Sequence, residues 1–174
     1  SAWVTRHPAL HMVRAMLLLL TSVLSFVSLQ HLPVGDFTAI VLLTPMVVTL
    51  AAAHMLHERV SWLRKLLVAG GFVGTLLIVR PGADDFQWAL LVPVVLVAVN
   101  ASFQLLTSHM TRTEDPMTIQ LYTAWIGAAV SALALPWVWQ PIGSGGVWLG
   151  LFFMAFIASL GHYFFTLAFK YAPA

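Results

Sequence analysis

The chain has 174 residues, of which 60% are hydrophobic and only 8% are charged. A soluble domain of this length needs a polar shell, and eight cations with six anions are too few to form one. The composition therefore excludes a soluble globular protein and indicates an all-α integral membrane protein. The net charge of +2 gives no reason to expect a nucleic-acid partner, and a chain without Cys has no disulfides or thiolate metal sites.

Six apolar segments, separated by polar or Gly/Pro-containing turns, predict six membrane helices. A helix needs about 20 residues, and at least about 17, to cross a hydrocarbon core, and the third segment, with about 17, just reaches the lower limit. The helices are expected at residues 13–32, 37–56, 63–79, 86–108, 117–139 and 147–169. Residues 1–11 are expected to form a loop, because Pro8 interrupts helical structure.

Three local features refine this scheme. Thr44-Pro45 lies inside the second predicted helix and should kink it, since Pro removes a backbone hydrogen bond. Asp36 is well placed to cap the start of the same helix. In the third helix, Gly70 and Gly74 lie four residues apart on one face, so we expect a neighbouring helix to approach closely there.

The positions of Lys and Arg predict the orientation in the membrane, because cations near helix ends remain on the cytoplasmic side. Only Arg80 falls on one side of the predicted bilayer. The seven other cations fall on the opposite side: Arg6, Arg14, Arg59, Arg64, Lys65, Arg112 and Lys170. We therefore expect a multi-pass protein of the inner (cytoplasmic) membrane, with the Ser1 end and the Lys170 end both cytoplasmic.

A weak internal repeat links the two ends of the chain. Residues 29–33 (LQHLP) are similar in pattern to residues 169–173 (FKYAP), although a match this short also arises by chance. The two copies end the first and sixth predicted helices, which cross the membrane in opposite directions. Equivalent helices of opposite direction are typical of the inverted repeats from which many transporters are built.

Several motifs resemble the fourth-to-fifth helix region of EamA-type proteins in the drug/metabolite transporter superfamily. These are His54-x-x-His57-Glu58-Arg59, the Gly-rich residues 70–74, and Ile78-Val79-Arg80-Pro81. The chain departs from the family pattern at His57, where Gly is common. The resemblance assigns structural motif positions to Pro45, Glu58, Arg59, Gly70, Gly74, Arg80 and Pro81.

The resemblance implies a protein of ten helices in two inverted five-helix repeats. The six helices of this chain would correspond to helices three to eight of that plan. Residues 1–82 would then hold the last three helices of the first repeat, and residues 83–174 the first three of the second. On this interpretation the chain is a fragment, and its function belongs to the longer protein.

Polar side chains within the later helices predict a cavity that binds a small molecule. The candidate substrate-binding residues are Asn100, Gln104, Gln120, Tyr122, Trp125, His162 and Tyr163. For Asn100 and Gln104, hydrogen bonding between helices is an equally good interpretation. His162 could bind substrate or take part in proton coupling, and it could equally be a neutral side chain bonded to a neighbouring helix.

The favoured function is a secondary transporter (permease) of small metabolites or drugs that works by alternating access. The alternative is a structural or enzymatic membrane protein without transport activity. An enzyme needs a nucleophile or an acid–base pair, and the predicted helix interiors contain no Asp, Glu, Lys or Arg. His54, His57 and Glu58 match no metal-binding motif, so we expect neither catalysis, metal nor cofactor. The expected partners are the lipid bilayer and an unidentified small-molecule substrate, and the pattern is compatible with a coupling proton and a homo-oligomer.

Overall fold

The computed structural model describes residues 5, 7–55, 61–79, 88–139, 141 and 143–171. Every regular element in these ranges is helical. The helices are α1 (Pro8–His31), α2 (Val34–Val41), α3 (Thr44–Met55), α4 (Trp62–Val79), α5 (Leu91–Met110), α6 (Pro116–Val138) and α7 (Gly145–Tyr171), and a 3-10 turn at Trp88–Leu90 precedes α5. The predicted class, an all-α polytopic helix bundle, is confirmed.

Five stretches of the described chain are long and apolar enough to cross a membrane. They are Pro8–His31, Val34–His54, Trp88–Met110, Pro116–Val138 and Gly145–Tyr171. Large apolar side chains remain exposed on them: Trp137 is 83% exposed and Phe152 is 73% exposed. Such surfaces suit hydrocarbon rather than water. The remaining predicted helix, α4, forms at the predicted position with 18 residues, and its membrane crossing stays a prediction.

The first helix begins earlier than the sequence predicted. Pro8 is its first residue, a position where the missing N–H costs no hydrogen bond and the fixed φ favours the helix. The amides of Leu10 and His11 donate to the His7 carbonyl at 3.0 and 3.4 Å. The predicted loop over residues 1–11 is therefore wrong from residue 8 onward, and His11 and Arg14 both lie inside α1.

The second predicted helix is interrupted where Thr44-Pro45 indicated. α2 ends at Val41, and α3 begins at Thr44 with Pro45 as its second residue. The predicted capping role of Asp36 is wrong, because α2 begins at Val34 and no side chain caps it. Asp36 instead lies in the first turn of α2, where a carboxylate still interacts favourably with the helix dipole.

The start of α6 follows the expected chemistry of a helix N-terminus. Asp115 is its N-cap, and its Oδ2 accepts a hydrogen bond from the Met117 amide at 3.0 Å. Pro116 follows at the first helical position. Lys170, near the end of α7, lies 3.8 Å from the Asp115 carboxylate, but both side chains are exposed, so this ion pair contributes little stability.

The chain divides into two compact units. Unit 1 consists of Ser1–Met16 and Leu106–Pro173, and α6 packs against α7 within it. Unit 2 consists mainly of Leu17–Leu105, and α2 packs against α4 within it. These units are defined by packing contacts, and their boundaries differ from those of the two sequence repeats. The two predicted sequence repeats, 1–82 and 83–174, stay a prediction.

In unit 2, a side chain of α3 contacts α4 at Gly71, beside the two glycines singled out in the sequence. No atom of the described chain lies within 4 Å of a Cβ placed on Gly70 or Gly74, and the helix contact predicted at these glycines stays a prediction. A Cβ on Gly71 would instead overlap the end of the Met46 side chain. On the same face of α4, the Thr75 hydroxyl donates to the Ala39 carbonyl at 3.1 Å. Four other motif residues, Glu58, Arg59, Arg80 and Pro81, lie outside the described residues.

We expect Gly71→Leu to destabilise the protein by about 1 kcal/mol, the low end of the cost of overpacking, because the added side chain meets only the flexible end of Met46, which can move aside. Gly70→Leu is the matched control, since it adds the same atoms where no neighbour lies within 4 Å. Met46→Ala should recover part of the loss in the Gly71→Leu background. Melting temperatures in detergent measure these effects. Equal melting temperatures for the two Leu variants would show that the Gly71 contact does not matter.

Candidate functional site

A buried arginine joins four helices in unit 1. Arg14 of α1 has no exposed surface. Its Nε donates to Thr107 Oγ1 of α5 at 2.9 Å, and its Nη2 donates to Thr166 Oγ1 of α7 at 3.2 Å. Its Nη1 donates to Thr123 Oγ1 of α6. Three hydroxyl oxygens from three different helices therefore surround one guanidinium group.

Two of the three threonines are oriented to accept these bonds by their own helices. The Thr123 hydroxyl donates to the Ile119 carbonyl at 2.8 Å, and the Thr166 hydroxyl donates to the His162 carbonyl at 2.9 Å. Each O–H is thus used within its helix, and the oxygen lone pairs remain for Arg14. A cation removed from water is costly unless its donors find acceptors. The three hydroxyls reduce that cost.

A second polar network lies one helical turn earlier on α1. His11 Nε2 is 3.1 Å from Glu114 Oε2, and the Thr5 hydroxyl donates to Glu114 Oε1 at 2.6 Å. The side chains of His11 and Glu114 are 0% and 4% exposed. Tyr122 stacks on the His11 ring with the ring centroids 4.6 Å apart. The network therefore ties α1 to α6 and to the loop that precedes α6.

These networks correct one interpretation of the sequence. The predicted first helix, residues 13–32, has Arg14 at its entry, and the helix interiors are predicted to contain no Asp, Glu, Lys or Arg. The second statement is wrong at Arg14, because α1 begins at Pro8 and Arg14 lies well inside it. His11 is likewise a buried ionisable group within α1.

A signal for this site was present in the sequence. With Pro8 as the first helical residue, His11 and Arg14 lie three residues apart on one helix face. Thr107 and Thr166 each lie within two turns of the end of their helix, and Thr123 lies two turns after the start of α6. By topology these four helix ends belong to the same side of the predicted membrane.

The predicted substrate-binding residues of unit 1 differ in their surroundings. Gln120, His162 and Tyr163 are half-buried, and the Tyr163 ring lies 5.8 Å from that of Phe164. His162 lies one turn before Thr166, to which its carbonyl is bonded. Trp125 is 65% exposed. Tyr122, another of the predicted substrate-binding residues, is the residue that stacks on the His11 ring.

In unit 2, Asn100 and Gln104 are half-buried on α5. Gln104 Nε2 donates to Asn100 Oδ1 at 3.4 Å, so the two amides share a helix face. Their predicted part in binding a substrate stays a prediction. In the parts of the chain that the structure describes, no three His, Asp or Glu side chains lie close enough together to hold a metal ion.

Comparison with known proteins gives one family and several named relatives. Residues 2–80 match the EamA-like transporter family. The chain is 29% identical over 182 residues to the "Riboflavin transporter" of Brucella anthropi, which covers 98% of this chain and 62% of that protein. It is 31% identical over 185 residues to the "Riboflavin transporter" of Rhizobium johnstonii, covering 100% of this chain and 58% of that protein.

A more distant relative is the "S-adenosylmethionine uptake transporter" of Rickettsia bellii, with 27% identity over 135 residues, 78% of this chain and 46% of that protein. No solved structure gives a significant match. The chain spans about six-tenths of the length of the riboflavin transporters that it matches. The resemblance indicated by the Gly-rich and Arg-Pro motifs is confirmed, because residues 2–80 match the EamA-like transporter family and the named relatives are transporters.

Proposed function

We propose that this chain forms part of a multi-pass inner-membrane carrier that moves a small metabolite by alternating access. The family match and the five apolar spans support this proposal. The observation that carries it is the buried network around Arg14. A charged side chain within a membrane-spanning segment is costly and rare, and commonly marks a transport pathway. An enzymatic or purely structural membrane role is not favoured by any of the named relatives.

The proposed substrate site consists of the polar and aromatic residues predicted from the sequence: Asn100, Gln104, Gln120, Tyr122, Trp125, His162 and Tyr163. Amide groups would bond to polar edges of a substrate, and the aromatic rings would stack on a planar heterocycle. Riboflavin, named in two relatives, has both features and is the first substrate to test. S-adenosylmethionine, named in a third, is the second.

Transport by the full-length protein in proteoliposomes tests the proposal directly. We expect uptake of labelled riboflavin above that of protein-free vesicles, and competition by excess unlabelled riboflavin. Uptake of S-adenosylmethionine but not of riboflavin would support the transport function and would replace riboflavin by S-adenosylmethionine as the proposed substrate. If the folded protein moves neither compound, the proposed substrates are wrong, and the structural or enzymatic alternative gains support.

His162→Gln distinguishes a functional from a structural histidine, because Gln keeps hydrogen bonding and removes titration. We expect a change of about tenfold in the half-saturating substrate concentration if His162 binds substrate, or loss of pH dependence if it carries a coupling proton. His109→Gln is the control, since His109 is exposed at the end of α5. Unchanged rate, affinity and pH profile would assign His162 a structural role.

The proposed orientation places both the Ser1 end and the Lys170 end in the cytoplasm. Because the chain has no Cys, single cysteines report accessibility without interference from native thiols in this region. A cysteine at Gly35 should react with a membrane-impermeant reagent from outside intact cells, and one at Arg112 only after permeabilisation. Labelling of position 112 from outside intact cells would show that the proposed orientation is wrong. The homo-oligomer stays a prediction.

A further inference from the structure

Unit 2 contains an apolar cavity of about 670 Å³ that is not part of the proposed substrate site. Ile40 of α2 and Met46 of α3 form one wall. Ala69 and Phe72 of α4 form a second, and Val97 of α5 forms a third. All of these side chains are hydrocarbon or thioether, so the cavity offers few partners to a polar metabolite.

One cation lies among the residues that line the cavity. Lys65 is the single charged residue among those lining the cavity in the described parts of the chain. It lies in the first turn of α4, close in sequence to Trp62, which is 74% exposed. Trp and Lys at a helix end are typical of the headgroup level of a bilayer. The cavity therefore begins where lipid headgroups are expected.

The opposite end of the cavity lies deeper in the expected membrane. Phe72 follows Lys65 by seven residues of α4, which corresponds to a rise of roughly 10 Å. Over that distance Val68 and Ala69 also line the cavity. The surface thus changes from one cation to hydrocarbon along the direction in which a lipid changes from headgroup to acyl chain.

We propose that this cavity binds one anionic phospholipid, with an acyl chain along Met46 and Phe72 and the phosphate at Lys65. The chain buries apolar surface against the walls, and the ammonium group supplies a charge-assisted hydrogen bond to phosphate. Basic sites between membrane helices recognise anionic headgroups by this chemistry. A zwitterionic lipid offers the same chain but no net negative charge. The inference is independent of the proposed transport function.

Native mass spectrometry of the full-length protein tests the site in mixed micelles with equal phosphatidylglycerol and phosphatidylcholine. We expect one retained phosphatidylglycerol in preference to phosphatidylcholine. Lys65→Gln should weaken retention about fivefold, the effect of one cation near a lipid surface. Ala69→Trp should abolish retention of both lipids by filling the cavity. Arg64→Gln is the matched control, because Arg64 carries the same charge one residue away and does not line the cavity.

Several outcomes would overturn the site. If Lys65→Gln and Arg64→Gln reduce phosphatidylglycerol retention equally, the lipid is attracted by the charge of the helix end in general and not by Lys65. If phosphatidylglycerol and phosphatidylcholine are retained equally, lipids cover the apolar surface without recognition of the headgroup. Another outcome is detection of the wild-type protein as a dimer, with twice the monomer mass. If Ala69→Trp is then detected only as a monomer, a second copy of the protein occupies the cavity in place of a lipid. If Ala69→Trp fails to fold, Val97→Phe narrows the cavity from α5, and unchanged retention in that folded variant would count equally against the proposal.

Discussion

Replacing Thr123 with Val should lower the free energy of unfolding by about 1.5–3 kcal/mol, the range for hydrogen bonds to charged groups. Val has nearly the same shape as Thr but no oxygen, so Arg14 Nη1 loses its acceptor while it remains fully buried. The same reasoning applies to Thr107 and Thr166, which accept from Nε and Nη2. Reversible unfolding in mixed detergent micelles measures the change.

Two controls separate the arginine network from the general effect of removing a hydroxyl. Thr123→Ser keeps the oxygen and should cost only about 0.8 kcal/mol for the lost methyl group. Thr38→Val removes an exposed hydroxyl that bonds to its own helix at Val34, and should change stability by about 0.5 kcal/mol or less. In an Arg14→Met background, the cost of Thr123→Val should fall by at least about 1 kcal/mol. An undiminished cost in that background would refute the pairing.

Glu114→Ala should destabilise the protein by about 3 kcal/mol, because it removes one partner of a buried pair. The carboxylate accepts from the Thr5 hydroxyl and bonds to His11, and the Glu114 side chain is only 4% exposed. Its loss leaves the His11 ring buried between Tyr122 and the vacated space. The effect is measured by the same unfolding experiment, with circular dichroism to verify the helical content.

Glu114→Gln is the conservative comparison, since the amide oxygen still accepts from Thr5 and the side chain fills the same volume. We expect it to lose less than half as much stability as the Ala variant. His11→Ala and Glu114→Ala together should cost less than the sum of the single changes, by about 1 kcal/mol or more. Strict additivity would mean that the 3.1 Å contact contributes nothing to stability.

Both predictions concern the part of unit 1 where α1 contacts helices that follow it in the chain, with partners 93 to 152 residues after Arg14. Arg14 reaches Thr107, Thr123 and Thr166, so removing any of these contacts should loosen several helices together. Within a membrane, hydrophobic burial does not distinguish one helix neighbour from another. Directional bonds such as those of Arg14 can therefore specify which helices pack together.

The sequence predicted the all-α class, the positions of the helical segments and the family resemblance because these depend on local properties. Apolar length defines a span whatever its neighbours are. Pro45 marked a real interruption, since a missing N–H acts within its own helix. Helix starts were less accurate: Pro8 was interpreted as a breaker but begins α1, and Asp36 was assigned a cap that the structure does not contain. Pro and Asp are compatible with several positions in a first turn.

The polar networks depended on tertiary structure. A cation seven residues into a helix has the same local sequence whether it extends to a headgroup or bonds to three distant hydroxyls. Thr107, Thr123 and Thr166 each look like ordinary residues within apolar segments, and only helix packing brings their oxygens to Arg14. The glycine contact is similar, because Gly70, Gly71 and Gly74 are equally permissive in sequence and the rotation of α4 selects Gly71. Local sequence thus determined which segments are helices, whereas the rotation and pairing of those helices determined which polar groups and glycines acquired partners.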